Sequence, residues 1–396
     1  MNSLKNKKLL VITNGYPNKD GSIPDSVFVK DQIDLLAKHF KEVNVVVIAP
    51  YLPRCLWFFF KQYKNRVNLV DYKYNNINVF YSKYFKLPNS VSYRTFNLYN
   101  SVVRKITKQK IDFDLIHAHF VYPSGYVASK IKKKYKKKLI ITGHGFDVYD
   151  FPYRSKQNKK IFIDTLHAAN FFITVSKKNL SIAKSFLNLD KKSIVIPNGF
   201  SNEFGLFSKI TARKKLKLNL NKKIILHVGA YKINIKNQIN LIRAISELLN
   251  VRKDFILYLI GSGKDEKKIR DKIKELKLDK YVKLIGSITH DKMPLWMSAS
   301  DLFVLPSFCE GNPTVMFEAL GARVPYIGTN VGGVKDVIIS DSYGFLYDEP
   351  KDYKALANLI NIGLNKKWDY KKIKTYAGNF SLKKIIKILL KTYEKI

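Results

Sequence analysis

The chain has 396 residues, 46% of them hydrophobic, which is enough for two ordinary domains with separate cores and too apolar for a disordered polymer. Its 71 Lys and Arg against 31 Asp and Glu give a formal charge of +40, which calls for an anionic neighbour. Two cysteines, Cys55 and Cys309, exclude a disulfide framework and favour a reducing compartment, and no stretch reaches the roughly 20 apolar residues of a membrane-spanning helix.

The N-terminal run "MNSLKNKKLLVITNGYPNK" begins with positive charge, but its apolar part is short, a turn follows and there is no small-residue cleavage site. It reads as a first strand, "LLVIT" from Leu9, rather than a signal peptide. A second strand, "VNVVVI" from Val43, leads into Pro50 to Arg66, where basic residues mix with Trp57, Phe58, Phe59, Phe60 and Tyr63. That composition suits an anchor on an anionic membrane surface, where each nearby Lys or Arg contributes about 1 kcal/mol. The same aromatics would also serve as ordinary core. Specific nucleic-acid binding is not expected, since the lysines are spread along the whole chain and no recognition motif appears.

Further apolar runs follow: "INVFY" from Ile77, "DLIHAH" from Asp114, "LIIT" from Leu139, "FFITV" from Phe171 and "SIVIP" from Ser193. Alternation of such runs with amphipathic segments predicts a parallel sheet covered on both faces. Strand alternation puts His117 and His119 on one face at a strand's C-terminal end, and His144 and Asp147 follow the next strand. Any one of these histidines alone would be an ordinary core residue; their clustering points to a site. Zinc is disfavoured because no third ligand is identifiable by spacing.

Pro197 to Phe207 is turn-rich and reads as a linker, after which the pattern restarts with "IILHVG" from Ile224, "FILYLIG" from Phe255, "VKLIG" from Val282, "DLFVLP" from Asp301 and "VPYIGT" from Val324. Two doubly wound domains are therefore expected, with a cleft between them. Lys236, expected at a helix start after the first of these strands, could reach an anion or be a solvated surface charge. Gly261 and Gly263, around Ser262, would allow close backbone approach to a ligand, although a plain loop reads the same way and the full dinucleotide fingerprint is absent. In "SFCEGNPTVMFEALGARVP", Asn312 is the expected N-cap and Pro313 the first residue of a nearly all-apolar helix. Glu318 falls inside that helix, and a buried carboxylate needs a donor. Glu310 precedes the helix, whose first amides near Thr314 and Val315 offer an anion site. The tail "FSLKKIIKILLKTYEKI" places Ile385, Ile386, Leu389 and Tyr393 on one helical face that should dock on a core.

Glu310 and Glu318 in "EGNPTVMFE" resemble the E-x7-E signature of retaining glycosyltransferases of family 4, and "VIPNGF", "LHVGA...K", "LIGSG", "SASDLFVLPS", "GTNVGGVKDVI" and "DLIHAHFVYPSG" extend the resemblance over nearly the whole chain. It implies the α/β GT-B fold, two Rossmann-like doubly wound domains facing each other across a cleft. Residues 1–203 would bind the acceptor, rejoined by a C-terminal helix at 380–396, and residues 204–379 would bind the nucleotide sugar. By resemblance, Glu318 binds the ribose hydroxyls and Glu310 the transferred sugar. Gly311, Asn312, Pro313, Thr314 and Val315 hold the distal phosphate, Lys236 neutralises the diphosphate near Gly229, and His119 lines the donor-sugar site. His144 is a weaker match. The family's usual arginine after the glycine is Ala230 here, and the spacing to Lys236 is one residue longer, so either Lys232 substitutes or diphosphate binding is weaker. Leu382 stands where many members carry tryptophan.

The expected activity is retaining, metal-independent hexosyl transfer from a nucleotide sugar, without a further cofactor, onto a lipid-linked or growing glycan. The expected location is cytoplasmic, peripheral on the inner face of the cell membrane. A nucleotide-sugar epimerase of the same fold and a nonenzymatic polyanion-binding protein are the alternatives.

Overall fold

The computed structural model describes residues 4–21, 23, 25–51, 69–85 and 92–396. Beyond Tyr51, the segment expected to anchor on a membrane lies outside the described residues. The chain forms two compact units, Met1–Ile196 with Ile386–Ile396, and Pro197–Ile385. The divisions thus fall seven residues before the expected 203/204 boundary and inside the final helix, Leu382–Glu394, rather than ahead of it. Hydrogen bonding explains the first shift. The Asn198 amide donates to Asn312 Oδ1 (2.9 Å), Phe200 bridges to Ser381, and Phe200 and Phe204 are buried in the second core, so the expected linker belongs to the second unit.

The first unit is built on β1 (Lys8–Thr13), β2 (Glu42–Tyr51), β3 (Tyr72–Tyr74), β4 (Ile77–Phe85), β5 (Leu115–His119), β6 (Lys138–Gly143), β7 (Phe171–Thr174) and β8 (Ser193–Val195). They form one sheet in the order β3-β4-β2-β1-β5-β6-β7-β8, antiparallel only between β3 and β4. Leu9 to Ile12 and Val45 to Val47 are buried without alternation, as expected of central parallel strands covered on both faces. The strand order reverses between β1 and β5, which places the histidines that end β5 at the switch point. Ile386, Leu389 and Tyr393 of the last helix are buried, and Tyr393 meets Phe40 edge to face at 5.6 Å.

The second unit contains β9 (Lys223–Val228), β10 (Phe255–Ile260), β11 (Val282–Gly286), β12 (Leu302–Leu305), β13 (Tyr326–Thr329) and β14 (Gly344–Tyr347). All are parallel, in the order β11-β10-β9-β12-β13-β14. Counted from β9 this is the 3-2-1-4-5-6 order of dinucleotide-binding sheets, whose ligands sit outside the carboxyl ends of the strands at the point of reversal. Here that point lies between β9 and β12. At the other end of the same two strands, buried Arg213 donates to the carbonyls of Ala299, Leu220 and Lys222 and to Asp301, which also accepts the Ile224 amide. Among the described residues no helix is long and apolar enough to cross a membrane.

Candidate functional site

The chain leaving β9 turns sharply at Gly229. Lys236 ends a short helix, Ile233–Lys236, instead of starting the long one, because Asn237 adopts a left-handed conformation (φ 58°) before the helix Gln238–Leu248. Asn237 is held there by Nδ2 donating to the carbonyls of Pro306 and Pro350. The stem of Lys236 consequently passes over Gly229, where a Cβ would lie 3.5 Å from its Cγ and Cδ.

From the adjoining strand, β12, the chain runs through Ser307 to Glu310. The Lys236 ammonium donates to Glu310 Oε1 at 2.6 Å, and the Ser307 hydroxyl donates to the same oxygen at 2.6 Å. The pair is largely shielded, with side-chain exposures of 20% for Lys236 and 9% for Glu310. Backbone contacts fix the loop: the Phe308 amide donates to Ile235 O (2.8 Å) and the Gly333 amide to Gly311 O (2.9 Å). Gly332, at φ 59°, packs so closely that a Cβ would lie 1.8 Å from Glu310 O.

The helix following this loop spans Thr314–Gly321, with Pro313 as its N-cap. The expected Asn312 cap does not form. Its Oδ1 accepts the Asn198 amide and its carbonyl accepts Asn198 Nδ2 (2.7 Å), so it clamps the "PNGF" turn instead. As in any helix, the amides of Thr314 and Val315 have no intrahelical acceptor. Glu318 is 4% exposed, and its carboxylate has the donor that burial requires: His290 Nε2 lies 3.3 Å from Oε1. An ionised carboxylate only accepts, so Nε2 is the protonated nitrogen in this contact. Phe204 packs edge to face on His290 at 6.0 Å.

Gly261 and Gly263 contact backbone. A Cβ on Gly261 would lie 2.0 Å from Gly229 O, and one on Gly263 2.5 Å from Tyr231 O, so their close approach supports the turn that aims Lys236. Tyr231 is buried, its amide donating to Ser262 O and its hydroxyl to Leu259 O. Ala230 and Lys232 are exposed, and Lys232 forms no ion pair with the described residues.

In the first unit, His117 is bonded on both ring nitrogens, to the Tyr393 hydroxyl (2.6 Å) and to Thr142 Oγ1 (2.8 Å). His119 Nδ1 meets His144 Nε2 at 3.0 Å, while His119 Nε2 and His144 Nδ1 are buried without a partner. In either tautomeric arrangement this neutral pair leaves one outer donor and one outer acceptor, at its two opposite ends. Burial lowers the His119 pKa to about 3 and holds His117 and His144 well below the usual histidine value. Burial raises the pKa of Asp147, whose carboxylate accepts the amides of Gly145, Val121 and His144; it braces the loop.

The structure therefore brings Gly229, Lys236, Glu310, Gly311 and the first turn at Thr314 and Val315 together at the switch point of the second sheet. Glu318 lies within the same helix, and His119 belongs to the first unit. Sequence reasoning missed Ser307, His290 and Asn198. Ser307 carried a signal, a hydroxyl three residues before a carboxylate on a strand-end loop; His290 and Asn198 are distant in sequence from the groups they serve.

A protein-family profile described as Glycosyl transferases group 1 matches residues 208–392, and Glycosyltransferase Family 4 matches residues 29–204. The chain is 30% identical over 364 residues to TuaC of Bacillus subtilis, a glycosyltransferase named for teichuronic acid biosynthesis, with 89% of this chain and 88% of that protein covered. Among solved structures it is similar to sucrose-phosphate synthase from Thermosynechococcus elongatus, with a TM-score of 0.77 and 19% identity over 98% of each chain. It is also similar to Anabaena HepE in complex with UDP-glucose, with a TM-score of 0.71 and 19% identity over 98% of this chain and 100% of that one. These two likenesses identify the fold as GT-B, with two Rossmann-like domains.

Proposed function

This chain belongs to glycosyltransferase family 4, and on that premise we propose that it transfers a hexose, with retention of anomeric configuration and without a metal ion, from a nucleoside diphosphate sugar to a lipid-linked or growing glycan. The observation that carries this reading is the placement of two shielded carboxylates with separate cationic or N–H partners, Lys236–Glu310 just before one helix and His290–Glu318 within it, the helix following the strand at the switch point. The Glu318 carboxylate accepts the ribose hydroxyls. The amides of Thr314 and Val315, beside Gly311, Asn312 and Pro313, receive the distal phosphate, where the helix dipole favours negative charge. Lys236 swings from Glu310 to the diphosphate and stabilises the charge that builds on the leaving group. Freed in this way, Glu310 contacts the transferred sugar, and His119, whose Nε2 has no partner among the described residues, lines the donor-sugar site.

In the transfer step the bond from the anomeric carbon to the diphosphate oxygen breaks and a bond to the acceptor oxygen forms on the same face. The acceptor hydroxyl proton passes to the leaving phosphate, so no protein base is required. With Ala230 in place of arginine, Lys236 carries the diphosphate charge, assisted by exposed Lys232. The name of the Bacillus subtilis relative favours cell-envelope polysaccharide as the setting, and the formal charge of +40 favours a peripheral position on an anionic membrane face.

The test is a thermal-shift titration of the wild type and Glu318→Ala with UDP, GDP, ADP and CMP, each without metal. Ligand at about a hundred times its dissociation constant stabilises by roughly 2.7 kcal/mol, a shift of a few degrees. One diphosphate should stabilise the wild type and lose its effect in the variant. If none stabilises the wild type, the donor assignment is wrong.

A further inference from the structure

The first unit holds an open cavity of about 500 Å³, lined by residues of β4, of the stretch before β3 and of the helix Ser92–Lys108. Four cations surround it: Lys83 from the strand, and Arg104, Lys105 and Lys108 from the last turns of the helix. One carboxylate, Asp71, faces them. It pairs with Lys105 at 2.9 Å and accepts the Tyr81 amide at 2.8 Å. Lys83, Arg104 and Lys108 are exposed and form no ion pair with the described residues.

Two features separate this cluster from a solvated charge run. The helix dipole accounts for cations in a last turn, but not for Lys83, which arrives from a strand. Arg104 and Lys108 are four residues apart on one helix face, the spacing that lets both reach one group in the cavity that Lys83 also lines. The strand edge adds a donor. β3 pairs with β4 only as far as Val79, Asp71 takes the Tyr81 amide beyond it, and strand alternation turns the Lys83 amide to the same edge. An N–H, two ammonium groups and a guanidinium around one cavity form a site for a phosphate dianion.

We propose that this cavity binds the phosphate or diphosphate group carried by the acceptor. Assigning the group to an acceptor rests on the glycosyl-transfer reading; the anion chemistry does not. The test compares the wild type, the variant Lys83→Gln/Arg104→Gln/Lys108→Gln, and a control, Lys371→Gln/Lys372→Gln/Lys374→Gln, that removes equal charge from exposed positions of the second unit. Calorimetry with inorganic pyrophosphate and with farnesyl diphosphate is combined with sedimentation on phosphatidylglycerol–phosphatidylcholine vesicles and with the nucleotide thermal shift.

The cavity variant should lose about tenfold or more in affinity for both diphosphates, while the control keeps it and the nucleotide shift is unchanged in both. Diphosphate binding equal to wild type in the cavity variant overturns the proposal. So does a loss confined to vesicle sedimentation, which would make the cluster a lipid-surface contact. If the wild type shows no nucleotide shift but the cavity variant still loses diphosphate binding, the anion site holds and the glycosyl-transfer reading falls.

Discussion

The ammonium of Lys236 and the carboxylate of Glu310 neutralise each other at 2.6 Å, although the proposed reaction needs both of them on the donor. The pair is therefore a resting arrangement that a nucleotide sugar must open. Lys236→Met leaves Glu310 with the Ser307 hydroxyl alone, and the free protein should lose about 1–2 kcal/mol, less than for a fully buried pair because Ser307 remains. Glycosyl transfer should fall by about a hundredfold or more, the range seen when one preorganised charge-stabilising group is removed. Lys236→Met/Glu310→Gln should regain most of the stability and none of the rate. Recovery of both would remove Lys236 from the chemistry.

Gly332 holds the Glu310 loop by backbone contact, which makes it a test of positioning. At φ 59°, with Glu310 O 1.8 Å from the position of a Cβ, Gly332→Ala must displace the loop or its own turn. A loss of about 1–3 kcal/mol is expected from the clash and the left-handed backbone together. Turnover should fall further than the thermal midpoint implies, since the displaced segment carries Glu310 and precedes the amides proposed to receive the phosphate. A variant that melts early but turns over normally would show that the loop tolerates the shift.

The central strands were legible because they are buried on both faces, so "LLVIT", "VNVVVI" and "IILHVG" are mostly apolar without alternation, with only Asn44 and His227 interrupting the last two. β3 and β14 were not: "YKY" and "GFLY" are three and four residues long, too short to show a period. The two carboxylates and their helix were readable from local pattern and from resemblance. The partners were not readable. Glu318 finds His290 from 28 residues away, and Asn312 meets Asn198 across 114, spacings set by the strand order. The Asn312 cap failed for the same reason, because a residue type that favours capping was taken by a distant amide.

Acid should destabilise the fold below the normal histidine range. His119 has its pKa lowered to about 3 by burial and His227 to about 4, again chiefly by burial, and His117 and His144 are lowered as well. Between these values and the unperturbed 6.5, the unfolded chain binds protons that the native chain refuses. The stability is therefore complete above pH 6.5 and declines as pH falls toward the native values, by up to about 1.4 kcal/mol per pH unit for each such histidine. Thermal midpoints measured from pH 7.5 to 5 should drop, with a shallower slope in His227→Gln, which removes a ring that belongs to the second unit. A flat profile would mean that these rings accept protons in the folded state.

His290 supports the buried carboxylate that is proposed to meet the ribose, and this contact gives nucleotide binding a signature that overall stability lacks. His290→Ala leaves Glu318, 4% exposed, without the N–H that now faces it. The free protein should lose about 1–3 kcal/mol, the cost of an unsatisfied buried acceptor. A nucleoside diphosphate would then supply the missing donors through its ribose hydroxyls, so the ligand-induced rise in thermal midpoint should be larger in His290→Ala than in the wild type at equal saturation. The corresponding 2′,3′-dideoxynucleotide should produce no such excess. An equal shift for both nucleotides would separate Glu318 from the ribose and leave its contact with His290 as a structural bond.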